Sequence, residues 1–107
     1  MNEGRIGQLK QFLAEDPTDN FSLYALALEY KESMPKQAIE QFELLRKVNP
    51  HYTALYYHLA ETYLELDLPD EAKEVYESGL KILEQAQDAH ALKELRNAYQ
   101  NFIFDYE

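Results

Sequence analysis

Three histidines, His51, His58 and His90, are the side chains best suited to hold a metal ion or move a proton. No two of them stand four residues apart, and no HExxH pattern occurs. His58 and Glu61 lie at i, i+3 and would share one helix face, where they could bring one nitrogen and one carboxylate to a divalent ion. Ser22, Ser33 and Ser78 lack the glycine-flanked turn that raises a serine nucleophile out of a sheet. The three glycines form no phosphate loop, and the chain has no cysteine, which removes disulfides, thiolate zinc sites and thiol nucleophiles. The 20 acidic side chains are those of solvated helix faces rather than a convergent acid–base pair. The residues thus point away from an enzyme, a bound metal or a cofactor, with a metal-binding or catalytic protein as the most remote reading.

Composition narrows the class. In 107 residues, 46% are hydrophobic, which suits one globular domain with a modest core. Three glycines and four prolines favour long helices over a turn-rich β fold. Residues 1–53 carry 8 acidic and 6 basic side chains, a balance of −2, whereas residues 54–107 carry 12 and 4, a balance of −8. Such a surface repels phosphate backbones, so nucleic acid is excluded as a partner, and the C-terminal half suits basic partners. Neither a signal-peptide core behind Met1–Arg5 nor the ~20 apolar residues of a membrane span is present, and a soluble cytoplasmic protein is expected.

The elements that must position any site come from an internal repeat. Leu23-x-x-Leu26-Ala27-x-x-Tyr30 reappears as Tyr56-x-x-Leu59-Ala60-x-x-Tyr63, 33 residues on. Pro35-x-x-Ala38-x-x-x-Phe42-x-x-Leu45 reappears as Pro69-x-x-Ala72-x-x-x-Tyr76-x-x-Gly79, 34 residues on. The first copy therefore lacks one residue near Lys31–Met34, which belongs in a turn, because inside a helix it would rotate every later side chain by ~100°. Ile6, Leu9, Phe12 and Pro17 repeat as Ile39, Phe42, Leu45 and Pro50, a half copy at the start. Spacings of i, i+3, i+4 and i+7 make each block one face of an α-helix. Ala27, Ala60, Ala38, Ala72 and Gly79 let helices approach closely.

Helix signals agree with these blocks. Asp16, Asp19 and Asn20 around Pro17 suit a helix start. Pro35 and Pro69 suit first turns, and Pro50 ends the helix before it. The spacing predicts six helices near 3–15, 19–32, 35–48, 52–66, 69–85 and 88–105, with consecutive helices antiparallel. Leu92, Leu95, Tyr99, Phe102 and Tyr106 form a long apolar stripe on the last one.

This pattern resembles the tetratricopeptide repeat (TPR), a helix–turn–helix unit of ~34 residues. Leu26-Ala27, Tyr30, Ala38, Phe42 and Pro50 match its positions in one copy, and Tyr56, Leu59-Ala60, Tyr63, Ala72 and Tyr76 in the next. Glu84 replaces the closing proline of the second copy, so that helix is expected to run on. The resemblance implies an all-α, TPR-like α-solenoid of antiparallel helix pairs. Residues 1–107 form one such domain: a half repeat (5–17), two repeats (18–50 and 51–84) and a capping helix (88–105). It also implies a peptide-binding concave face lined by the first helix of each pair. The residues there are Phe21, Tyr24, Ala25 and Leu28, then Ala54, Tyr57, His58, Glu61 and Glu65. Some family members grip a terminal carboxylate with lysine, arginine and asparagine on these faces; here Tyr24, Leu28 and His58 stand instead.

The function expected is a protein-interaction adaptor for an apolar or basic segment, with Glu61 and Glu65 facing a lysine or arginine. The alternative is a self-associating adaptor that forms a homodimer through Phe102-Ile103-Phe104 of the last helix.

Overall fold

The computed structural model describes residues 2–106. Six helices, and no strand, occur among them: α1 (Glu3–Glu15), α2 (Asn20–Tyr30), α3 (Pro35–Val48), α4 (Ala54–Glu65), α5 (Pro69–Ala86) and α6 (Ala89–Tyr106). All six expected helices form, with ends shifted by two residues at most. None is long and apolar enough to cross a membrane.

Local chemistry sets the boundaries. The Asn2 side chain accepts from the Arg5 amide at 2.9 Å and caps α1. The Asp19 carboxylate accepts from the Ser22 amide at 3.3 Å and from the Ser22 hydroxyl, starting α2. Pro35 and Pro69 open α3 and α5, where a missing N–H costs nothing, and Asp70 and Glu71 add negative charge at the positive end of the α5 dipole. Asn49, before Pro50, leaves the helical region and ends α3. Without a closing proline, α5 reaches 18 residues against 14 for α3.

The chain divides into two compact units, Met1–Tyr52 and Thr53–Glu107. In the first, α2 packs against both α1 and α3. Its interior is built from the repeat residues Leu23, Leu26, Ala27, Tyr30, Phe42 and Leu45, all buried. In the second, α5 packs between α4 and α6, and α6 also touches α4. Leu59, Ala60, Ala72 and Tyr76 are buried as their counterparts are, whereas Tyr63 is only half-buried. Leu95 and Phe102 of the α6 stripe are buried, so α6 covers the second helix pair. Thr53 donates to Asp88 at 3.4 Å, and Asp88 accepts from the Ala91 amide at 3.2 Å, which ties the entry of α4 to the cap of α6.

The odd residue in the repeat has a structural cause. The second copy ends α4 in a Schellman motif: the Leu68 amide donates to the Tyr63 carbonyl at 2.9 Å, and the Asp67 amide to the Leu64 carbonyl at 3.0 Å. Asp67 takes a left-handed conformation, φ 58°, to do so. The first copy turns with one residue fewer, closing with a bond from the Met34 amide to the Tyr30 carbonyl at 2.7 Å. Because a side chain resists positive φ, Asp67→Gly should raise stability by about 0.5–1 kcal/mol in a urea unfolding curve. A loss of stability would mean that the aspartate contributes more than its backbone strain.

Candidate protein-interaction surfaces

Among the described residues no three histidine, aspartate or glutamate side chains gather as metal ligands. The His58 ring lies edge-on to Tyr57, centroids 5.5 Å apart. His90 pairs with Glu94 at 3.1 Å, both of them largely exposed.

In the first unit the candidate side of α2 is mixed. Phe21 is 59% exposed and Leu28 37%. Tyr24 is half-buried: its ring meets Phe42 at 6.3 Å and Tyr52 at 5.2 Å. Burial and the neighbouring Tyr52 hydroxyl push the Tyr24 hydroxyl above its ordinary value. Burial and Asp19 do the same to Tyr52. Ala25 is buried. Its methyl is shorter than Phe21 and Leu28, one turn away on either side, so it offers a ligand no surface.

In the second unit the equivalent helix is α4. Ala54 and Glu65 are exposed, Tyr57 is 38% exposed, and His58 and Glu61 are half-buried. Phe21, Tyr24, Ala25 and Leu28 correspond to Ala54, Tyr57, His58 and Glu61 at the 33-residue offset, so both units present the same repeat positions. One is aromatic and aliphatic, the other aromatic and acidic.

Behind this side of α4, Tyr76 of α5 is pushed up to about 12, chiefly by burial, then by Glu61, Tyr57 and Tyr106. Unfolded tyrosine ionises near its ordinary value of 10.0, while the folded ring keeps its proton until about 12. Between those values the unfolded state binds fewer protons, so stability falls as pH rises; the contribution is complete below pH ~10. Chemical denaturation should therefore show a decline on the order of 2 kcal/mol across this window. Tyr76→Phe should make it shallower, Tyr24 and Tyr52 keeping their share, and an unchanged slope would assign the alkaline sensitivity to other groups.

Other large apolar side chains also reach the surface, among them Phe12, whose repeat counterpart Leu45 is buried. Phe12, Leu44 and Val48 are 38–44% exposed, and Phe104 reaches 88%. In the Phe102-Ile103-Phe104 segment, which the alternative reading of a self-associating adaptor would use, Phe102 is buried, Ile103 half-buried and Phe104 open. Phe104 lies two residues off the buried stripe and so points the other way, a signal present in the periodicity itself.

Comparison with known proteins places the chain. A family model described as "Tetratricopeptide repeat" matches residues 29–95. The solution structure of a tetratricopeptide repeat domain protein from Salinibacter ruber is 35% identical, with a TM-score of 0.75, covering 81% of this chain and 89% of that one. The crystal structure of a Salinibacter ruber tetratricopeptide repeat domain protein is 34% identical, with a TM-score of 0.73, covering 78% of this chain and 96% of that one. A Bordetella parapertussis protein shares the fold at 20% identity and a TM-score of 0.80, covering 94% of this chain and 88% of that one. No curated protein sequence matches significantly.

Proposed function

The chain belongs to the tetratricopeptide repeat family, and from that premise we propose that it is a protein-interaction module that binds a segment of another polypeptide. The observation that carries this reading is the exposure of Phe21, Leu28 and Tyr57. These large side chains occupy equivalent faces of α2 and α4 instead of joining the interior. Tyrosine and phenylalanine supply broad, rigid contact area at low entropic cost.

The preferred ligand is an apolar segment that also carries lysine or arginine. Glu65 is exposed one turn beyond Glu61, and the C-terminal half of the chain is strongly acidic. Opposite charge at the rim of a contact raises the association rate and selects partners more than it adds affinity. Ala25 is left out of the proposed contacts because it is buried.

The test is binding to an array of short peptides that vary apolar and charged content, with wild type beside Phe21→Glu and Tyr57→Glu. Both positions are open to solvent, so both variants should keep wild-type helicity and melting. Peptides with aromatic or leucine residues beside lysine or arginine should be retained and acidic ones rejected. Each substitution should weaken retention about tenfold or more, the cost of a lost anchor residue. Equal retention by wild type and both variants would move the binding surface elsewhere.

A further inference from the structure

We propose that the basic residue of the bound segment is held in the first unit, its ammonium or guanidinium group against the Asp19 carboxylate and the rings of Phe21, Tyr24 and Tyr52. This rests on the reading of the chain as a peptide-binding module and gives that module its charge-selecting site.

The carboxylate is fixed in place. Asp19 precedes α2, and its Oδ2 accepts from the Ser22 amide at 3.3 Å and from the hydroxyl of Ser22, which is fully buried. Among the described residues its other oxygen, Oδ1, accepts no hydrogen bond, and no lysine, arginine or histidine pairs with it. Asp19 is half-buried, yet Oδ1 still touches solvent.

Aromatic rings stand around it. The Tyr52 ring lies 5.2 Å from that of Tyr24, and both are half-buried. Phe21 is three residues before Tyr24, on the same face of α2, and is 59% exposed. The Tyr52 hydroxyl, pushed above its ordinary value by burial and then by Asp19, is within electrostatic reach of that carboxylate. Ring faces attract a lysine or arginine cation, more strongly where water is partly excluded, and the carboxylate adds the opposite charge.

The surrounding charges favour a cation. Glu15 and Asp16, exposed at the end of α1, have the sign of Asp19, while Lys47 and His51, exposed after the middle of α3, oppose it. The first amides of α2 carry positive partial charge, but α3 packs antiparallel on α2 and brings its last carbonyls to the same end. The arrangement belongs to the first unit alone. At the 33-residue offset Asp19, Phe21 and Ser22 become Tyr52, Ala54 and Leu55, and no side chain caps α4.

Titration of the full chain with three small probes, followed by NMR, tests the site without any peptide. The probes are N-acetyl-arginine amide, N-acetyl-lysine amide and, as the uncharged control, N-acetyl-norleucine amide. The two charged probes should give saturable shifts centred on Asp19, Phe21, Tyr24 and Tyr52, reduced by added salt, and the control should not. Asparagine caps a helix as well as aspartate, so Asp19→Asn should keep wild-type melting while weakening the charged probes about fivefold or more. Tyr52→Leu should weaken them about threefold. Shifts centred on α4, equal binding of the norleucine probe, no saturable shift, or unchanged affinity in Asp19→Asn would each overturn the proposal. Basic peptides retained equally by wild type and Asp19→Asn would also overturn it while leaving the module reading intact. Charged probes bound at Asp19 with no peptide retained would keep the cation site and overturn the module reading instead.

Discussion

Gly79→Ala should destabilise the protein by about 2–3 kcal/mol, although a glycine-to-alanine change inside a helix ordinarily stabilises by about 1 kcal/mol. The sign is set by space. A methyl on Gly79 would lie 2.8 Å from both Cβ and Cγ of Tyr56 and 2.9 Å from a Leu95 methyl. Cβ of Tyr56 is fixed to the α4 backbone, so the helix itself must move. Three helices, α4, α5 and α6, meet at this point, and relief toward one neighbour presses on another. The repeat supplies an internal control. At the equivalent positions of the first copy, Leu23 stands for Tyr56 and Leu45 for Gly79, both buried. Two medium side chains have been exchanged for one large and none. Tyr56→Leu combined with Gly79→Ala should consequently cost less than the sum of the two single changes, by an interaction on the order of 1 kcal/mol. Urea unfolding of the three variants measures this, and strict additivity would show that Tyr56 and Gly79 do not share one packing space.

The second large effect is expected at Phe42. The ring is fully buried in α3 and meets Tyr24 edge-on. Phe42→Ala should cost about 3–5 kcal/mol, since the emptied volume is bounded by helix surfaces that relax only in part. Phe42→Leu should keep more than half of the lost stability. The same change should increase the exposure of Tyr24, whose ring rests on Phe42 and Tyr52, and bring its hydroxyl ionisation back toward the ordinary tyrosine range. Thermal unfolding followed by circular dichroism reads the first effect, and ring resonances of Tyr24 followed through alkaline pH read the second. A loss below about 1 kcal/mol would mean that the site collapses without a cavity.

Sequence alone determined the helices and their inner faces. A 3.6-residue period of large apolar side chains has one helical solution, and proline, aspartate and asparagine mark helix ends through backbone chemistry that acts within a few residues. Repetition at a near-constant offset then fixed which faces are equivalent, and the absent closing proline announced the longer α5. Even the one-residue mismatch was assigned to the right turn, but its cause, a Schellman motif in the second copy, depends on backbone angles that residue names do not specify.

Exposure was decided by tertiary structure. Phe21 and Ala25 occupy the same side of α2, yet one is open and the other buried, because exposure depends on the reach of neighbouring side chains. Tyr24 and Tyr57 hold equivalent repeat positions, but Tyr24 rests on Phe42 and Tyr52 while Tyr57 packs edge-on to His58. Gly79 read as a small contact residue; its true tightness comes from Leu95, 16 residues away on α6, as well as from Tyr56. An open cleft beside Phe102 and Tyr106 has the same origin: it joins the start of one helix to the end of the next, a proximity set by packing and not by any local pattern.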